Sequence, residues 1–329
     1  MSFKKIILGI IIFILLIVST LLVLPFFFKD KILQVAKSEI NKNIDARVDF
    51  KDVDISFFKS FPLLRADLQD VSVVGVKEFD SIPLLSAKSL GVALEVMPLL
   101  KSMSNINIKG IYAESPTVNI LVRSDGKANY DITKPDTTTS EPASEFKINL
   151  EKYKISNANI TYKDNSSKNE VIVKGLNHKG SGEFSSTVYD LDTKTNIDSL
   201  SYFSGNMKYL SKAKVDLDAI FNIDMALSKY SLKQNKLKIN DLEINADGFV
   251  QMIGSIIAMD LKLKSPQTDF KSLFSIIPGA YTSDYSNVKS SGSFDFKADI
   301  KGKYDGAKGR YPSFAINSLI KDGFIQYPS

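Results

Sequence analysis

Any chemistry in this chain would have to start at His178, the only histidine among 329 residues, or at carboxylate pairs such as Asp216 and Asp218. A histidine beside a nucleophile could act as a general base, and two carboxylates on one strand face could divide acid and base roles between them. Neither arrangement is developed here. His178 is followed by Lys179-Gly180-Ser181-Gly182 and reads as an exposed turn residue. Asp216 and Asp218 alternate with apolar residues and read as a solvated face. The chain has no cysteine, so a His/Cys metal cluster, a disulfide framework and a lipidated N-terminal cysteine are all excluded. The Ser-Gly combinations lack the strand-to-helix context of a nucleophile elbow, and no phosphate-binding loop is present. The sequence therefore predicts a protein that is not an enzyme and needs no cofactor.

The elements that would position such residues are mostly strands. Val215, Leu217, Ala219, Phe221, Ile223, Met225 and Leu227 occupy successive odd positions, with Asp216, Asp218, Asn222 and Asp224 among the residues between them. Side chains of a strand point alternately to opposite faces, so this segment has one greasy face and one mostly wet face. Val53, Ile55 and Phe57 repeat the pattern, as do Leu90, Val92 and Leu94, Met259, Leu261 and Leu263, and Phe294, Phe296, Ala298 and Ile300. Long one-sided strands in series predict a broad antiparallel sheet whose apolar face must be covered. Helical signals are few. Thr268–Ile277 has Thr268 or Asp269 to cap it and Pro278 to stop it. The sheet therefore either packs on a second one as a closed β-sandwich or curls into a groove with an apolar floor, and periodicity leaves both open.

At the N-terminus, Ile6 to Leu24 carries no charge and is long enough to span a bilayer. Lys4 and Lys5 precede it, and Phe26, Phe27 and Phe28 follow where an interfacial belt would lie. No small-residue cleavage site follows, which favours an uncleaved anchor. The expected organisation is an N-terminal tip and transmembrane anchor over 1–28, an amphipathic helix over 29–46, and a β domain over 47–329; Lys29, Lys31 and Lys37 beyond the run outnumber Lys4 and Lys5 before it, so charge leaves the orientation open. Within that domain, Thr133–Lys147 is rich in Thr, Ser and Pro and reads as a mobile loop. The formal charge is +5, and its lysines are scattered among acidic residues. Arginine occurs only at 47, 65, 123 and 310, so a nucleic-acid partner is not expected.

Several segments resemble the AsmA family. Phe61-Pro62-Leu63-Leu64 leads into Leu68-Gln69-Asp70-Val71-Ser72-Val73, and Val96-Met97-Pro98-Leu99-Leu100 follows. Gly110 to Ile120 contains Pro116 and Asn119, and Asp125-Gly126-Lys127-Ala128-Asn129-Tyr130 looks like that family's D-G-x-x-N-aromatic signature. Ile155 to Asp164 is similar to its recurring strand, and Asp269-Phe270-Lys271-Ser272-Leu273-Phe274 to Tyr285 resembles versions found in Bacteroidota. Locally these motifs are punctuation: Asp-Gly favours a hairpin turn, and Pro116 is tolerated at the start of a strand.

The resemblance implies a single-pass inner-membrane protein of a Gram-negative envelope, N-terminus cytoplasmic and bulk periplasmic. Its β-groove would carry phospholipid acyl chains toward the outer membrane, with an outer-membrane or envelope protein as a possible partner. Val215, Leu217, Ala219, Phe221, Ile223, Met225, Leu227, Phe294 and Phe296 are then the expected lipid contacts, on a floor without convergent polar anchors. A non-enzymatic periplasmic scaffold or assembly factor is the alternative. Family members are usually longer, so a truncated C-terminus is expected where Gln326-Tyr327-Pro328-Ser329 resembles strand.

Overall fold

Alternating apolar and polar residues build an almost entirely β protein. The computed structural model describes residues 44–101, 106–133, 146–269 and 289–326, together with Ser272 and Ser275. The expected anchor, the amphipathic segment up to 43 and most of the expected 268–277 helix lie outside these residues. Among those described, no helix is long and apolar enough to cross a membrane. The chain divides into one unit of residues 1–113 and 131–148 and a second of 114–130 and 149–329.

In the first unit, β1 (Arg47–Asp49) and β2 (Asp52–Ser56) both pair with β3 (Leu64–Val74). β3 pairs with β4 (Pro83–Leu94), and a short helix, Val96–Lys101, leads to β5 (Ile106–Glu114). One face is a sealed core in which Phe50, Val53, Val71 and Ala87 pack with Ile55, Leu68 and Leu90. The other carries a buried charge. Asp67 accepts from Arg65 Nε at 2.7 Å and pairs with Lys59 at 3.3 Å, while the Arg65 guanidinium lies 3.6 Å from the centre of the Tyr112 ring. A buried carboxylate is tolerable only with such partners. Gly91, opposite Asp67 in the ladder, leaves room for it, since a Cβ there would stand 1.9 Å from Asp67 Oδ1.

The second unit begins with β6 (Thr117–Val122), parallel to β7 (Phe146–Asp164). The remaining strands form an antiparallel meander in sequence order from β7: β8 (Asn169–Ser181), β9 (Val188–Ser204), β10 (Met207–Asp224), β11 (Lys229–Ile239), β12 (Leu242–Ile253), β13 (Ile256–Asp269), β14 (Lys289–Tyr304) and β15 (Ser313–Gln326). Register shifts interrupt several pairs, and each bulge bends and twists its strand. Short polar side chains fill broken rungs of the ladder: Asn235 Oδ1 accepts from Ala246 N at 2.7 Å, Asn240 Oδ1 from Lys214 N at 2.8 Å, and Ser201 Oγ from Lys212 N at 2.9 Å. Such substitutes matter because an unpaired buried amide costs as much as a lost hydrogen bond.

Three sequence expectations are corrected here. β10 stops at Asp224, and Met225 and Leu227 belong to the exposed turn 225–228. Met225 N still bonds across to Thr187 O, and Asp224 Oδ1 accepts from Leu227 N, the local bond that turns the chain and ends the alternation. Thr268 and Asp269, expected to open a helix, close β13, where their backbones pair with Phe294 and Ser293. The segment expected as a loop is shorter than Thr133–Lys147: Thr133 bridges to Ile44, and Phe146 and Lys147 open β7.

Candidate functional site

Directly opposed residues of an antiparallel pair share a face, so the registers of β9–β15 define rows of side chains running across the strands. One row is Leu191, Phe221, Leu232, Gly248, Leu261, Ile300 and Phe314. Another is Ile197, Val215, Ile239 and Leu242, and Leu242 packs on Phe294 with Ile244 and Phe296 against them. Between these rows lie mostly smaller side chains, Thr193, Ala219, Ala246 and Ala298, with Leu263 and the polar Asn235 as exceptions. From β9 to β14 the face extends for roughly 24 Å at the usual strand spacing.

The opposite face is wet. Lys194 pairs with Asp218, Lys233 with Asp190, Lys236 with Glu243, Lys264 with Asp247 and Lys301 with Asp260. Asp216 accepts from Asn196 Nδ2 at 2.6 Å. The Lys233 ammonium and Asn222 hold Asp190 below its ordinary carboxylate range, and Asp260 raises Lys301. Asp216 and Asp218, the carboxylates that could have divided acid and base roles, are thus committed to separate partners.

The apolar face is only partly covered. Ala219 and its neighbours Val215 and Ile223 are buried, whereas Leu217, Phe221, Leu232, Leu237, Ile244, Leu261, Leu263 and Ile300 are each partly exposed. Every strand of the unit belongs to one sheet, with no second sheet among the described residues. Exposure rises toward β15, where Phe314 reaches 75% and Ile316 60%. Val215, Ala219, Ile223 and Phe294 are buried on this face, and Leu217, Phe221 and Phe296 are partly so. Those seven share the face, whereas Met225 and Leu227 stand off it in their turn, each 55% exposed.

Toward β7 the face changes character. His178 is not on a turn: it lies within β8, opposite Ile155 and Thr195. Its Nε2 is 2.8 Å from Tyr153 Oη and its Nδ1 2.8 Å from Thr195 Oγ1. Tyr153 also touches Phe184, which touches Tyr189, with ring centroids 5.9 and 5.2 Å apart. Gly180 permits this, since a Cβ would stand 2.4 Å from the Tyr153 ring. The expectation of a floor without convergent polar anchors therefore fails at β7–β9. Its signal in the sequence was Tyr153 and Thr195 at core-facing positions, which only register could connect to His178.

Burial disfavours the charged imidazole and holds His178 below its ordinary value of 6.5. The unfolded chain then binds this proton more readily than the folded chain. Stability will fall as pH drops from 6.5 through the lower folded value and level off beneath it. Urea unfolding at stepped pH should show that slope in the wild type and lose it in His178→Gln; an equal slope in both would contradict the assignment.

The motif residues around β6 have structural roles. Pro116 O accepts from Asn159 N at 2.8 Å. Gly126, at φ +84, forms the tip of a turn in which Asp125 Oδ1 accepts from Lys127 N and pairs with Arg123. Asn129 is 1% exposed; its Oδ1 accepts from Leu121 N at 2.9 Å, and its Nδ2 donates to Asn119 O at 2.7 Å. The side chain thus completes one edge of β6, while Tyr130 beside it is exposed. Asn129→Ala strands a buried donor and acceptor and should cost about 2–3 kcal/mol in denaturant unfolding, without altering what the apolar face binds; a change below ~0.5 kcal/mol would refute the clamp.

In comparison with known proteins, the model of the AsmA family matches residues 2–277. No curated protein and no solved structure matches the chain.

Proposed function

The chain belongs to the AsmA family, and from that premise we propose that it is an inner-membrane-anchored envelope protein whose second unit carries lipid acyl chains on its open apolar face, for phospholipid transport toward the outer membrane. The observation that carries this reading is the partly exposed apolar floor of β10–β14 beside an opposite face laced with ion pairs. An acyl chain of some sixteen carbons costs on the order of 10 kcal/mol to move through water at about 0.8 kcal/mol per methylene. Rows of comparable side chains crossing successive strands offset that cost at each step, so a tail moves between sites of similar affinity. The groove shape, the anchor over Ile6–Leu24 and the periplasmic placement belong to the same proposal.

Purification of the full chain from membranes in mild detergent, followed by quantification of retained lipid, tests it. At least one phospholipid per chain should resist detergent exchange. A lipid-free, monodisperse chain would refute the carrier and favour the second reading, a periplasmic scaffold that binds envelope proteins by strand addition. That reading draws on β15, which among the described residues pairs only with β14 and is exposed along its whole length.

A further inference from the structure

We propose that Tyr153, His178 and Thr195 form a headgroup subsite that hydrogen-bonds the phosphate of an amphiphile whose tail lies on the neighbouring apolar rows. This rests on the lipid-carrying reading of the same face and adds to it a place where one end of the guest is recognised.

Three polar side chains converge within one face built mostly of aliphatic and aromatic groups. His178, Thr195 and Leu217 are consecutive members of one row, so the polar cluster runs directly into the floor. A neutral imidazole has one donor and one acceptor, and each hydroxyl brings one donor. The two internal contacts, Tyr153 Oη to Nε2 and Thr195 Oγ1 to Nδ1, use two of the three donors. One hydroxyl proton is left to offer, whichever tautomer is present. Protonation of the ring turns both nitrogens into donors and frees both hydroxyl protons, giving a cationic site with two outward donors. A phosphate oxygen is matched by that arrangement, since charge-assisted hydrogen bonds are the stronger class.

The surroundings are consistent with an anionic guest. On this face the ionisable neighbours are Tyr153, Tyr189 and, two residues before Tyr153, Glu151; the directly opposed members of β9 and β10 are Thr, Leu, Ala, Phe and Val, without a carboxylate. The carboxylates of β9, Asp190, Asp192 and Asp198, alternate to the wet side. Tyr153 lies across Gly180 and is braced by Phe184, which fixes the phenol beside the imidazole. The cluster is half-exposed and thus open to a ligand.

Because the chain has a single histidine, one imidazole signal reports the site. The full chain, labelled with carbon-13 histidine and held in amphipol, is titrated with pH by NMR, alone and with lysophosphatidylglycerol, monoacylglycerol or inorganic phosphate. Quenching of a fluorophore at position 225, beside the floor, reports tail binding in the same samples. Lysophosphatidylglycerol should raise the His178 midpoint by about one pH unit, with monoacylglycerol quenching the fluorophore but leaving the midpoint in place. Thr195→Val and Tyr153→Phe, which keep shape and remove a hydroxyl, should each reduce that rise by at least half. Quenching by both amphiphiles with no midpoint change overturns the subsite and leaves the carrier reading standing. An equal rise with inorganic phosphate alone overturns the headgroup assignment, and absence of quenching by either amphiphile overturns both readings.

Discussion

Phe221→Asp will reduce retained lipid at least tenfold while the sheet remains folded. Phe221 stands in the row between Leu191 and Leu232, partly exposed at the centre of the floor. Removing its ring forfeits about 2 kcal/mol of apolar contact with a guest. A carboxylate beside an acyl chain adds a desolvation penalty of similar or larger size. Each 1.4 kcal/mol is a factor of about ten in affinity, so a loss between tenfold and a thousandfold follows. Asn222→Asp supplies the control. That neighbour faces the wet side, where its amide donates to Asp190 at 2.8 Å, so a charge there leaves the floor untouched. The pair is measured by lipid quantification and far-ultraviolet circular dichroism; equal lipid losses in both variants would argue against a one-sided floor.

Gly248→Ala will destabilise the second unit by about 3 kcal/mol or more. Gly248 is held at φ +116, a region that residues with a Cβ rarely enter. A Cβ there would stand 1.8 Å from the backbone oxygen of Asp260, so the neighbouring strand itself would have to move. The site lies where β11 and β12 lose register between Leu232 and Leu237, with Gly248 opposite both Leu232 and Leu261. Shifting the β12–β13 ladder would carry Leu261 and Leu263 with it, so the variant should lose lipid along with stability. Thermal unfolding measures the first effect, and a transition within two degrees of wild type would contradict it.

How the two faces differ bears on how such a sheet stays in solution. A long strand series with one uncovered apolar face invites edge and face association. The wet side counters this with interleaved lysines and carboxylates, paired across β9–β14 in alternating sign. β15 carries the pattern only weakly: on that side Ser313, Ala315, Asn317 and Leu319 are uncharged and Lys321 follows them.

The two-faced strands were legible from sequence because a period of two survives any register. Val215 to Ile223 lie as the alternation requires, with the aspartates between them on the wet side. What periodicity could not reveal is pairing. Whether His178 met a turn or a neighbouring strand depended on the Thr195 and Ile155 registers, and the second breaks just beyond Ile155 at a bulge where Asn177 Oδ1 accepts from Asn157 N. Met225 and Leu227 fit the alternation by residue type, yet Asp224 had already turned the chain. Asn129 was recognised as part of a signature, but its clamp on β6 becomes visible only when the hairpin at Gly126 folds it back. The open face was likewise undecided by sequence, because half-exposed and sealed strands share one pattern.

A photoreactive residue placed in turn at Phe221 and at Asn222, followed by irradiation in membranes and mass spectrometry of the adducts, tests the lipid floor most directly. The account predicts phospholipid adducts from position 221 and essentially none from position 222, one residue away on the opposite face. Protein-only crosslinks at 221, or lipid adducts of equal yield at both positions, would contradict it.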